Sequence, residues 1–540
     1  MSLAYNVNLE VATRTGGLEM KVDALIIGAG PVGLTMAAEL KRYGLSIRIV
    51  DKDSGRTDKS KAVAVWARTL ELLDRMGAGV SQRFIDAGLK AECTNIFAGG
   101  EQIAHVDLST VDTPYKFLLL IQQSETERML EEHLAALGTK VERQVELKTF
   151  EQSSDVVTCT LAHADGSEEK VVASWLIGCD GAHSTVRHQL GMSFEGSTML
   201  NDFIVADLHL DGMQGPPEGN IYWHAQGILA LFPLGGTRYR VIADVGESVS
   251  KAIGEHHAPT LEEIQQILDI RGPKGLVAKD PVWLSRFAIN ERKVADYRAQ
   301  RVFLAGDAAH VHSPAGGQGM NTGMHDAFNL AWKLSLASRG LCAAEPLLAS
   351  YSSERSAVAK QVLEQTGRTT AIAMMRGEAK QTIRNHVAAL VFGLAPVRHA
   401  MAILLSEVSV GYPDSPLNRS CDFEHSGPAP GKRAPIRKGE PRVGEGPTPR
   451  FALFAAENDA LASVAREFAD ILEPTLRAPY DGNGLWLVRP DGYVALRAKS
   501  GDAQAVQKYL RVLRLQADSF PPRNSIECKP RWLDQQARWD

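Results

Sequence analysis

Cysteine is scarce in this 540-residue chain, and its six copies are not arranged for metal binding or for dithiol exchange. They stand far apart, at Cys93, Cys159, Cys179, Cys342, Cys421 and Cys528. Because no CxxC pair and no other metal-ligand spacing occurs, we predict reduced structural thiols and no metal centre. Reduced thiols are typical of the cytoplasm, which is the compartment that we predict.

Clustered positive charge and long uninterrupted apolar runs are also missing. The net charge is −5, and without groups of Lys and Arg we expect neither a nucleic acid nor an anionic membrane as a partner. The longest apolar stretch, 386–405, is interrupted by Pro396, Arg398 and His399, and it falls short of the roughly 18 residues that a spanning helix needs. We expect a buried or ligand-lining pair of helices there. Residues 1–20 have neither a basic start nor an apolar centre, which predicts a loose arm and not a signal peptide.

The composition is that of an ordinary globular protein, with 44% apolar and 23% charged residues. Residues 22–53 follow the pattern strand, tight turn, helix, strand, which predicts the opening βαβ unit of a doubly wound sheet and the α/β class. Between 192 and 292, alternating apolar and polar residues predict an antiparallel sheet that forms a second layer over a substrate. From Arg301 the chain returns to a strand, a glycine-rich loop and a helix, so we expect the first domain to be discontinuous.

These changes of pattern divide the chain into six parts. We predict an N-terminal arm (1–20), the first part of a Rossmann-like domain (21–191), a sheet domain (192–292), the completion of the first domain with a helical segment (293–426), a linker rich in Pro and Gly (427–449) and a C-terminal domain (450–540). In the last part, Pro490, Asp491 and Gly492 supply the turn of a predicted hairpin.

The first motif that carries chemistry is "GAGPVG", with Gly28, Gly30 and Gly33 between a strand and a helix. The first glycine permits a tight turn, the second lets the backbone approach a pyrophosphate, and the third lets the helix pack on the strand. Asp51 ends the following strand, about 20 residues on, where an acid binds a ribose in such folds. The motif predicts nucleotide binding.

Two further motifs repeat the strand-to-helix arrangement. In "CDGAHSTVR", Asp180 and Arg187 form either a structural ion pair or part of a binding site. In "GDAAHVHSPAGGQGMNTG", which begins at Gly306, two histidines lie near an acid. We interpret His310 as a packing or ligand-adjacent residue, and we do not predict metal binding.

Together the three motifs, in this order, resemble the flavin-dependent aromatic hydroxylases of the para-hydroxybenzoate hydroxylase type. The likeness extends into "MHDAFNLAWKL" at 324–334, and the C-terminal part is similar to the thioredoxin-like appendage of phenol and polyketide hydroxylases. The resemblance implies an α/β fold: a discontinuous Rossmann-like FAD-binding domain with an inserted antiparallel-sheet substrate domain and a C-terminal thioredoxin-like domain. Because no cysteine lies between Cys421 and Cys528, that last domain has a packing or dimer-supporting role and no dithiol chemistry.

The resemblance also implies which residues bind FAD. The glycines of the first motif receive the pyrophosphate, Asp51 the adenosine ribose and Asp307 the flavin-side ribose. Asp180 is associated with FAD and the nicotinamide donor, and Gln123 with the ribityl and diphosphate part. The backbone of 316–321 meets the pyrimidine edge of the flavin. The full set of cofactor-binding candidates is Gly28, Gly30, Pro31, Gly33, Asp51, Lys52, Lys61, Arg68, Gln123, Asp180, Gly306, Asp307, Pro314, Gly316, Gly317, Gln318, Gly319, Met320 and Asn321.

Two of these candidates differ from the others. Arg68 matches a family position near FAD, whereas Lys61 replaces an arginine of many relatives and loses its planar fork, which weakens it as a candidate. No catalytic side chain is assigned, and Pro314 and His310 are only adjacent to the reacting face. Substrate candidates from the predicted sheet are Tyr222, His224, Arg240 and Arg286.

The implied reaction uses NADH or NADPH to reduce FAD, and O2 then gives a flavin C4a-hydroperoxide that hydroxylates a phenolic or polycyclic aromatic substrate. Baeyer-Villiger oxidation or epoxidation on the same fold is the nearest alternative. A flavin-retaining protein that binds an aromatic compound without catalysis is the alternative from another class. A homodimer is possible.

Overall fold

The computed structural model describes residues 20–57, 62–77, 79–245, 258–314, 316–373, 378–420 and 426–514. These residues form a mixed α/β fold, as predicted, with two large sheets and two smaller ones. The predicted N-terminal arm, apart from Met20, lies outside the described residues.

The first large sheet joins segments that are far apart in the sequence. In spatial order its strands are Arg298–Ala299, Val302–Leu304, Glu168–Gly178, Met20–Ile27, Ile47–Asp51 and Glu142–Arg143, with Val157–His163 and Val145–Gln152 continuing beside Glu168–Gly178. The central pairs are parallel. Their carboxyl ends therefore meet at one edge, where Cys179 N donates to Ile27 O over 2.8 Å and Ala305 N donates to Gly178 O over 3.0 Å.

Helices cover this sheet and form the main apolar core with it. Pro31–Arg42 packs between Gln123–Ala136 and Gly319–Ser338, and nearly all of its side chains are buried. Gly319–Ser338 is buried on nearly all sides, and its polar side chains, such as Asn321, Asp326 and Lys333, are buried as well, so they need hydrogen-bond partners inside the protein. The other helices nearby are Ala67–Asp74, Val80–Ala87, Thr185–Gln189 and Ala344–Ala373, with 3-10 turns at Leu108–Thr110 and Gly306–Ala308 and a small sheet of Ala64–Val65, Leu118–Leu120 and Leu89–Ala91.

The second large sheet is wider than the predicted domain at 192–292. In spatial order its strands are His310–Val311, Val277–Lys293, Glu195–Asp211, Arg238–Asp244, Gly227–Gly235, Gly219–His224, Cys93–Ala98 and Glu101–Asp107. Gly219–His224 pairs with Cys93–Ala98 in parallel. The sheet therefore extends beyond the predicted segment 192–292 and contains one parallel pair, because strands from the first domain satisfy the edge of that segment.

The two faces of this sheet have different neighbours. Ile204, Leu208 and Val241 point to one face, where helix Leu261–Arg271 covers them. We call the opposite face the inward face, because Phe232 on it packs against the apolar cluster that contains Trp66 of the first domain.

The helices Glu378–Phe392 and Ala395–Leu405 form the pair that the sequence predicts to be buried or ligand-lining. One side packs near Trp223 on the second sheet, but Ile383 is 65% and Leu390 74% exposed. Burial was therefore wrong for both helices, because only one side of each packs on the rest of the described chain, and the ligand-lining alternative stays a prediction. Among the described residues no single helix qualifies as a membrane span, and this pair qualifies only jointly, across a 90° bend.

The C-terminal region forms a four-stranded sheet with two helices. Its strands, in spatial order, are Arg419–Ser420, Val494–Lys499, Gly484–Val488 and Ala452–Phe454, and its helices are Asp459–Glu467 and Ala503–Arg514. The predicted hairpin is confirmed, with Gly492 at a φ of +80° in its turn. The Pro- and Gly-rich segment 427–449 is irregular but attached, since Gly431 N donates to Val494 O over 2.8 Å.

Buried charges join this region to the first domain. Arg489 in the hairpin turn donates to both carboxylate oxygens of Glu354, over 2.6 and 3.0 Å, and Lys333 donates to the same carboxylate over 2.7 Å. All three side chains are fully buried. The C-terminal sheet therefore completes a charge network that begins in the first domain.

The described cysteines are free thiols, and three of them, Cys159, Cys179 and Cys342, are buried. Burial raises the pKa of Cys159 and of Cys342 to about 12, and that of Cys179 well above its ordinary value. Such thiols are poor nucleophiles. Cys421 and Cys528 lie outside the described residues.

Candidate active site

The first glycine turn has the geometry that a pyrophosphate needs. Gly28 has a φ of +98°, and a Cβ there would overlap the carbonyl of Cys179, while a Cβ on Gly33 would overlap the carbonyl of Gly28. At Gly30, by contrast, nothing lies within 4 Å of a Cβ position. The backbone is thus open to a ligand at the start of helix Pro31–Arg42, where free amides and the helix dipole favour an anion.

Asp51 lies beside this turn. Its Oδ2 accepts from Ala29 N over 2.6 Å and its Oδ1 from Asp53 N over 2.9 Å, so its carboxylate is held at the glycine backbone. The neighbouring candidate Lys52 is exposed. This placement fits an acid that accepts hydrogen bonds from a ribose next to the pyrophosphate.

The turn that contains Asp180 stands at the same edge. Asp180 accepts from Ser184 Oγ over 2.6 Å, and burial raises the pKa of its carboxyl. Arg187 forms no ion pair with it; its guanidinium donates to the carbonyl oxygens of Ala308, over 3.0 Å, and Ala182, over 2.8 Å. The structural ion-pair interpretation was wrong: Arg187 links the second motif to the third.

The "GD" turn depends on an acid that the sequence analysis did not single out. Gly306 has a φ of +61°, and its N–H donates to Asp326 Oδ2 over 2.9 Å. His310 Nε2 lies 2.8 Å from the same oxygen, and Arg355 Nε donates to Oδ1 over 2.6 Å. Burial raises the pKa of Asp326, but Arg355 and His310 outweigh it and hold that pKa at about 2. Asp307 is exposed at this turn.

The two histidines of the motif lie in the interior. His310 stacks on Tyr297 with ring centroids 5.8 Å apart. His312 Nδ1 lies 2.9 Å from the carbonyl oxygen of Ser313, and burial lowers the pKa of His312 to about 4. A neutral imidazole at neutral pH has one N–H, so Nδ1 is the donor to that carbonyl. No three His, Cys, Asp or Glu side chains of the described chain are grouped for a metal ion.

The glycine-rich loop folds against Trp66 before its helix begins. Gly317 N donates to Pro314 O over 2.9 Å, and Trp66 Nε1 donates to Gly316 O over 2.9 Å. Gly316 and Gly317 have φ values of +86° and +63°, which a side chain would strain. Helix Gly319–Ser338 then starts, and its first N–H groups have no acceptor within the helix. This end can donate to a ligand that carries negative charge.

Asn321 is fully committed inside the protein. Its Oδ1 accepts from Trp66 N over 2.9 Å and from Thr69 Oγ1 over 2.8 Å. Its Nδ2 donates to Ala64 O over 2.9 Å and to Gly317 O over 3.0 Å. The side chain of Asn321 therefore fixes the loop, and only its backbone amide is available to a ligand.

Four other cofactor candidates occupy different positions. Gln318 is buried and donates to Leu404 O over 3.2 Å, and Met320 packs against the main core. Gln123 opens its helix and donates to Glu127 Oε1 over 2.9 Å. Lys61 lies outside the described residues.

Arg68 is not brought together with the glycine motifs. Its guanidinium donates to Glu71 and to the carbonyl of Asp491, each over 2.9 Å, and lies over the Tyr493 ring. One terminal nitrogen is thus occupied by Glu71 of the same helix and the other by the C-terminal hairpin turn, so the side chain joins these two regions, and its contact with FAD stays a prediction.

The substrate candidates fall on opposite faces of the second sheet. Arg240 lies on the inward face and forms a buried bidentate ion pair with Asp207, over 2.6 and 2.8 Å. Gln122 of the first domain also donates to Asp207, over 3.2 Å. Tyr222 lies on the face covered by helix Leu261–Arg271, which removes it from the flavin side.

Arg286 and His224 also lie away from the inward face, and each has a polar partner. Arg286 pairs in register with Ile204 and lies 3.4 Å from Glu263 on the covering helix. His224 Nδ1 accepts from Gln226 N over 3.2 Å at the end of a hairpin. Strand alternation therefore places these residues and Tyr222 on the face that the helix covers and not on the inward face, and their contact with a substrate stays a prediction.

The sequence analysis missed the aromatic residues of the inward face. Phe203 and Phe287 are paired in register with ring centroids 6.2 Å apart, and Trp283 lies 5.5 Å from the Arg240 guanidinium. Phe232 completes the set, next to the Trp66 cluster. These residues point to the same side of the sheet as Asp207, either by alternation along its strand or by direct pairing across strands. That shared side identifies the face once the pairing of strands is known.

Three phosphate-type turns at one edge of a parallel sheet, facing an aromatic sheet surface, define a dinucleotide-dependent oxidoreductase. Residues 21–366 match the family model described as "FAD binding domain", and the chain belongs to this family. It is a flavin-dependent monooxygenase of the aromatic hydroxylase type, as the motifs predicted.

Relatives of nearly the same length support this conclusion. The chain is 31% identical to 6-methylpretetramide 4-monooxygenase of Streptomyces rimosus, over 93% of this chain and 95% of the relative. It is 32% identical to pentachlorophenol 4-monooxygenase of Sphingobium chlorophenolicum, over 90% and 91%. The solved structure of OxyS anhydrotetracycline hydroxylase from Streptomyces rimosus matches with a TM-score of 0.73 and 28% identity, covering 92% of this chain and 99% of that one.

Proposed function

We propose that the protein uses NADH or NADPH and O2 to hydroxylate a phenolic or polycyclic aromatic substrate. One oxygen atom enters the ring and the other leaves as water, while the nicotinamide supplies the two electrons. The observation that supports this proposal is that Trp66 donates to Gly316 O of the glycine loop and shares an apolar cluster with Phe232 of the inward face. Relatives that are named for pentachlorophenol and for anhydrotetracycline support this substrate class.

The residues at the sheet edge fit FAD. The open backbone at Gly30 receives the pyrophosphate, Asp51 binds the adenosine ribose, and Asp307 with Asp180 binds at the flavin side. Gln123 binds near the ribityl chain. When bound, FAD supplies hydride acceptance from the nicotinamide and activation of O2.

The start of helix Gly319–Ser338 has an electrostatic role. Its free amides and positive dipole end stabilise negative charge at the pyrimidine edge of the flavin. Pro314 and Gly316 lie in the loop before it, so we assign them to the reacting side. Asn321 keeps this loop in one conformation through its four hydrogen bonds.

The inward face binds the substrate and excludes water. Phe203, Phe232, Trp283 and Phe287 offer ring faces to a planar compound. The Arg240–Asp207 pair fixes the polar end of this surface and connects it through Gln122 to the first domain. Exclusion of water favours oxygen transfer to the ring over loss of oxidising equivalents to solvent.

We propose that the C-terminal sheet is a thioredoxin-like domain that packs on the first domain through Arg489 and Glu354. A cytoplasmic location and a homodimer complete the proposal.

The test begins with the purified protein and its flavin absorbance. NADH and NADPH oxidation is then followed with a panel of phenols and polycyclic aromatics, and each product is examined by mass spectrometry and NMR. We expect faster oxidation with at least one compound and a product with a new ring hydroxyl. A lactone or epoxide would support the alternative oxygenations, and aromatic binding without faster oxidation would support a non-catalytic protein.

A further inference from the structure

A buried carboxyl group lies directly behind the glycine loop. Glu407 follows the second helix of the exposed pair, its side chain is 2% exposed, and its φ of +60° is rare for a residue with a side chain. Two contacts fix this turn: Gln318 Nε2 donates to Leu404 O over 3.2 Å, and Arg68 N donates to Ser406 O over 3.1 Å. Such a conformation persists when its surroundings hold it, and it commonly marks a functional position.

Counting donors defines a chain of hydrogen bonds from this region to the loop. Thr69 Oγ1 donates its single proton to Asn321 Oδ1 over 2.8 Å. Its other contact, His325 Nε2 at 2.9 Å, must therefore be the donor. Burial holds the pKa of His325 well below its ordinary value, so the ring is neutral and its one N–H points to Thr69.

Glu407 lies next to His325, the first donor of this chain, but is not hydrogen-bonded to it. Its Oε2 lies 3.8 Å from His325 Nε2 and has no hydrogen-bond partner, and its Oε1 lies 3.5 Å from Thr322 Oγ1. The charged groups that face it are Arg355 and Arg68. Burial outweighs them and raises the pKa of Glu407 to about 8.

We propose that Glu407 is a positioning residue for the flavin loop. As a neutral acid, Glu407 leaves the N–H of His325 free to donate to Thr69 Oγ1. Thr69 in turn donates to Asn321 Oδ1 and so holds Asn321 in place. An ionised carboxylate 3.8 Å away would compete for that single N–H, and the hydrogen bonds that hold the loop would weaken. This inference rests on the proposed binding of the flavin at 316–321.

The first measurement needs neither FAD nor activity. Infrared difference spectra between the wild-type apoprotein and Glu407→Gln at pH 7 should show the carbonyl band of a protonated carboxylic acid. The matched control, Glu345→Gln, removes a side chain that is 64% exposed and should show only carboxylate bands. Carboxylate bands alone for Glu407 would overturn the proposal.

Stability gives a second readout of the same group. The unfolded chain releases this proton near pH 4.5 and the folded chain near pH 8, so the folded state binds more protons in between, and wild-type stability falls with rising pH there. We expect the melting temperature of apo Glu407→Gln to rise relative to the wild type across this window and then level off. A constant difference would count against the proposal.

The dissociation constant for FAD then tests the positioning role. In the wild type it should rise about fivefold between pH 7 and 9, which is the effect of losing one net hydrogen bond, whereas Glu407→Gln should remove this rise. Thr69→Val should weaken FAD binding at every pH. In the Thr69→Val background, Glu407→Gln should no longer change the dissociation constant for FAD. Additive effects of the two substitutions would overturn the proposal.

These experiments separate the inference from the proposed function. If the infrared and melting results hold but no aromatic compound is hydroxylated, the proposed function fails while the buried acid remains. If hydroxylation is observed and the carboxyl group is ionised at pH 7, the positioning role fails alone.

Discussion

The carboxyl edge of the first sheet and the inward face of the second sheet meet at the same site but are built differently. At the edge the backbone makes the site, and glycines are required because neighbouring carbonyls occupy the space of a Cβ. On the inward face side chains make the site, and they come from strands that alternate between two environments. A backbone site is fixed by a short motif, whereas a side-chain site depends on the pairing of distant strands.

The largest effect is expected on the inward face. Arg240→Ala leaves Asp207 buried and unpaired, which should lower the free energy of unfolding by about 3 to 5 kcal/mol. Replacing both residues by leucine should restore most of it, because no isolated charge remains. Denaturant unfolding of the apoproteins measures both. A loss below about 1 kcal/mol would show that Asp207 finds another partner.

The glycine edge should respond to the position of the substitution. Gly33→Ala forces a Cβ against the carbonyl of Gly28 and should cost up to about 3 kcal/mol of stability, with loss of FAD binding. Gly30→Ala meets no protein atom, so the melting temperature of the apoprotein should stay unchanged while FAD binding weakens. Thermal melts and fluorescence titration with FAD separate the two. Equal destabilisation by both variants would contradict a ligand-facing role for Gly30.

The acid behind the third turn should give a pH effect. The folded pKa of Asp326 lies near 2, below its ordinary 3.8, so its stabilisation is complete above the higher value and is lost as the pH falls toward the lower one. This amounts to roughly 2 kcal/mol. The stability difference between the wild type and Asp326→Asn should therefore shrink between pH 4 and pH 2. A difference that is constant across this range, measured by urea unfolding, would argue against an ionised Asp326.

The smallest effect is expected on the covered face. Tyr222→Phe should change stability by less than about 0.5 kcal/mol and leave substrate affinity and coupling unaltered. Phe232→Leu, on the inward face, should lower the fraction of NAD(P)H that yields hydroxylated product. Product per NAD(P)H consumed is the measurement. The same fraction for both variants would mean that the two faces do not divide the sheet as proposed.

The sequence predicted the edge better than the face for a physical reason. Gly28, Gly306 and Asp51 act through local geometry that a few adjacent residues determine, so a motif is enough to find them. Tyr222 and Arg286 have residue types that commonly bind substrates, but the face of the sheet that they occupy depends on strand register, which no single segment encodes. Asp326 could have been singled out from the sequence, because it lies in the segment 324–334 that follows the glycine loop. Glu407 is recognisable only in the folded structure, where its turn packs behind that loop.

The ion pair between Arg489 and Glu354 has a consequence for biosynthesis. Glu354 and Arg355 are adjacent on one helix, yet the first binds the C-terminal hairpin and the second holds the Asp326 of the "GD" turn. While the ribosome is still translating the segment before Arg489, Glu354 lacks this partner and the helix lacks its cover. The nucleotide site begins with the first strand of the chain, but we expect it to mature only after the hairpin has emerged.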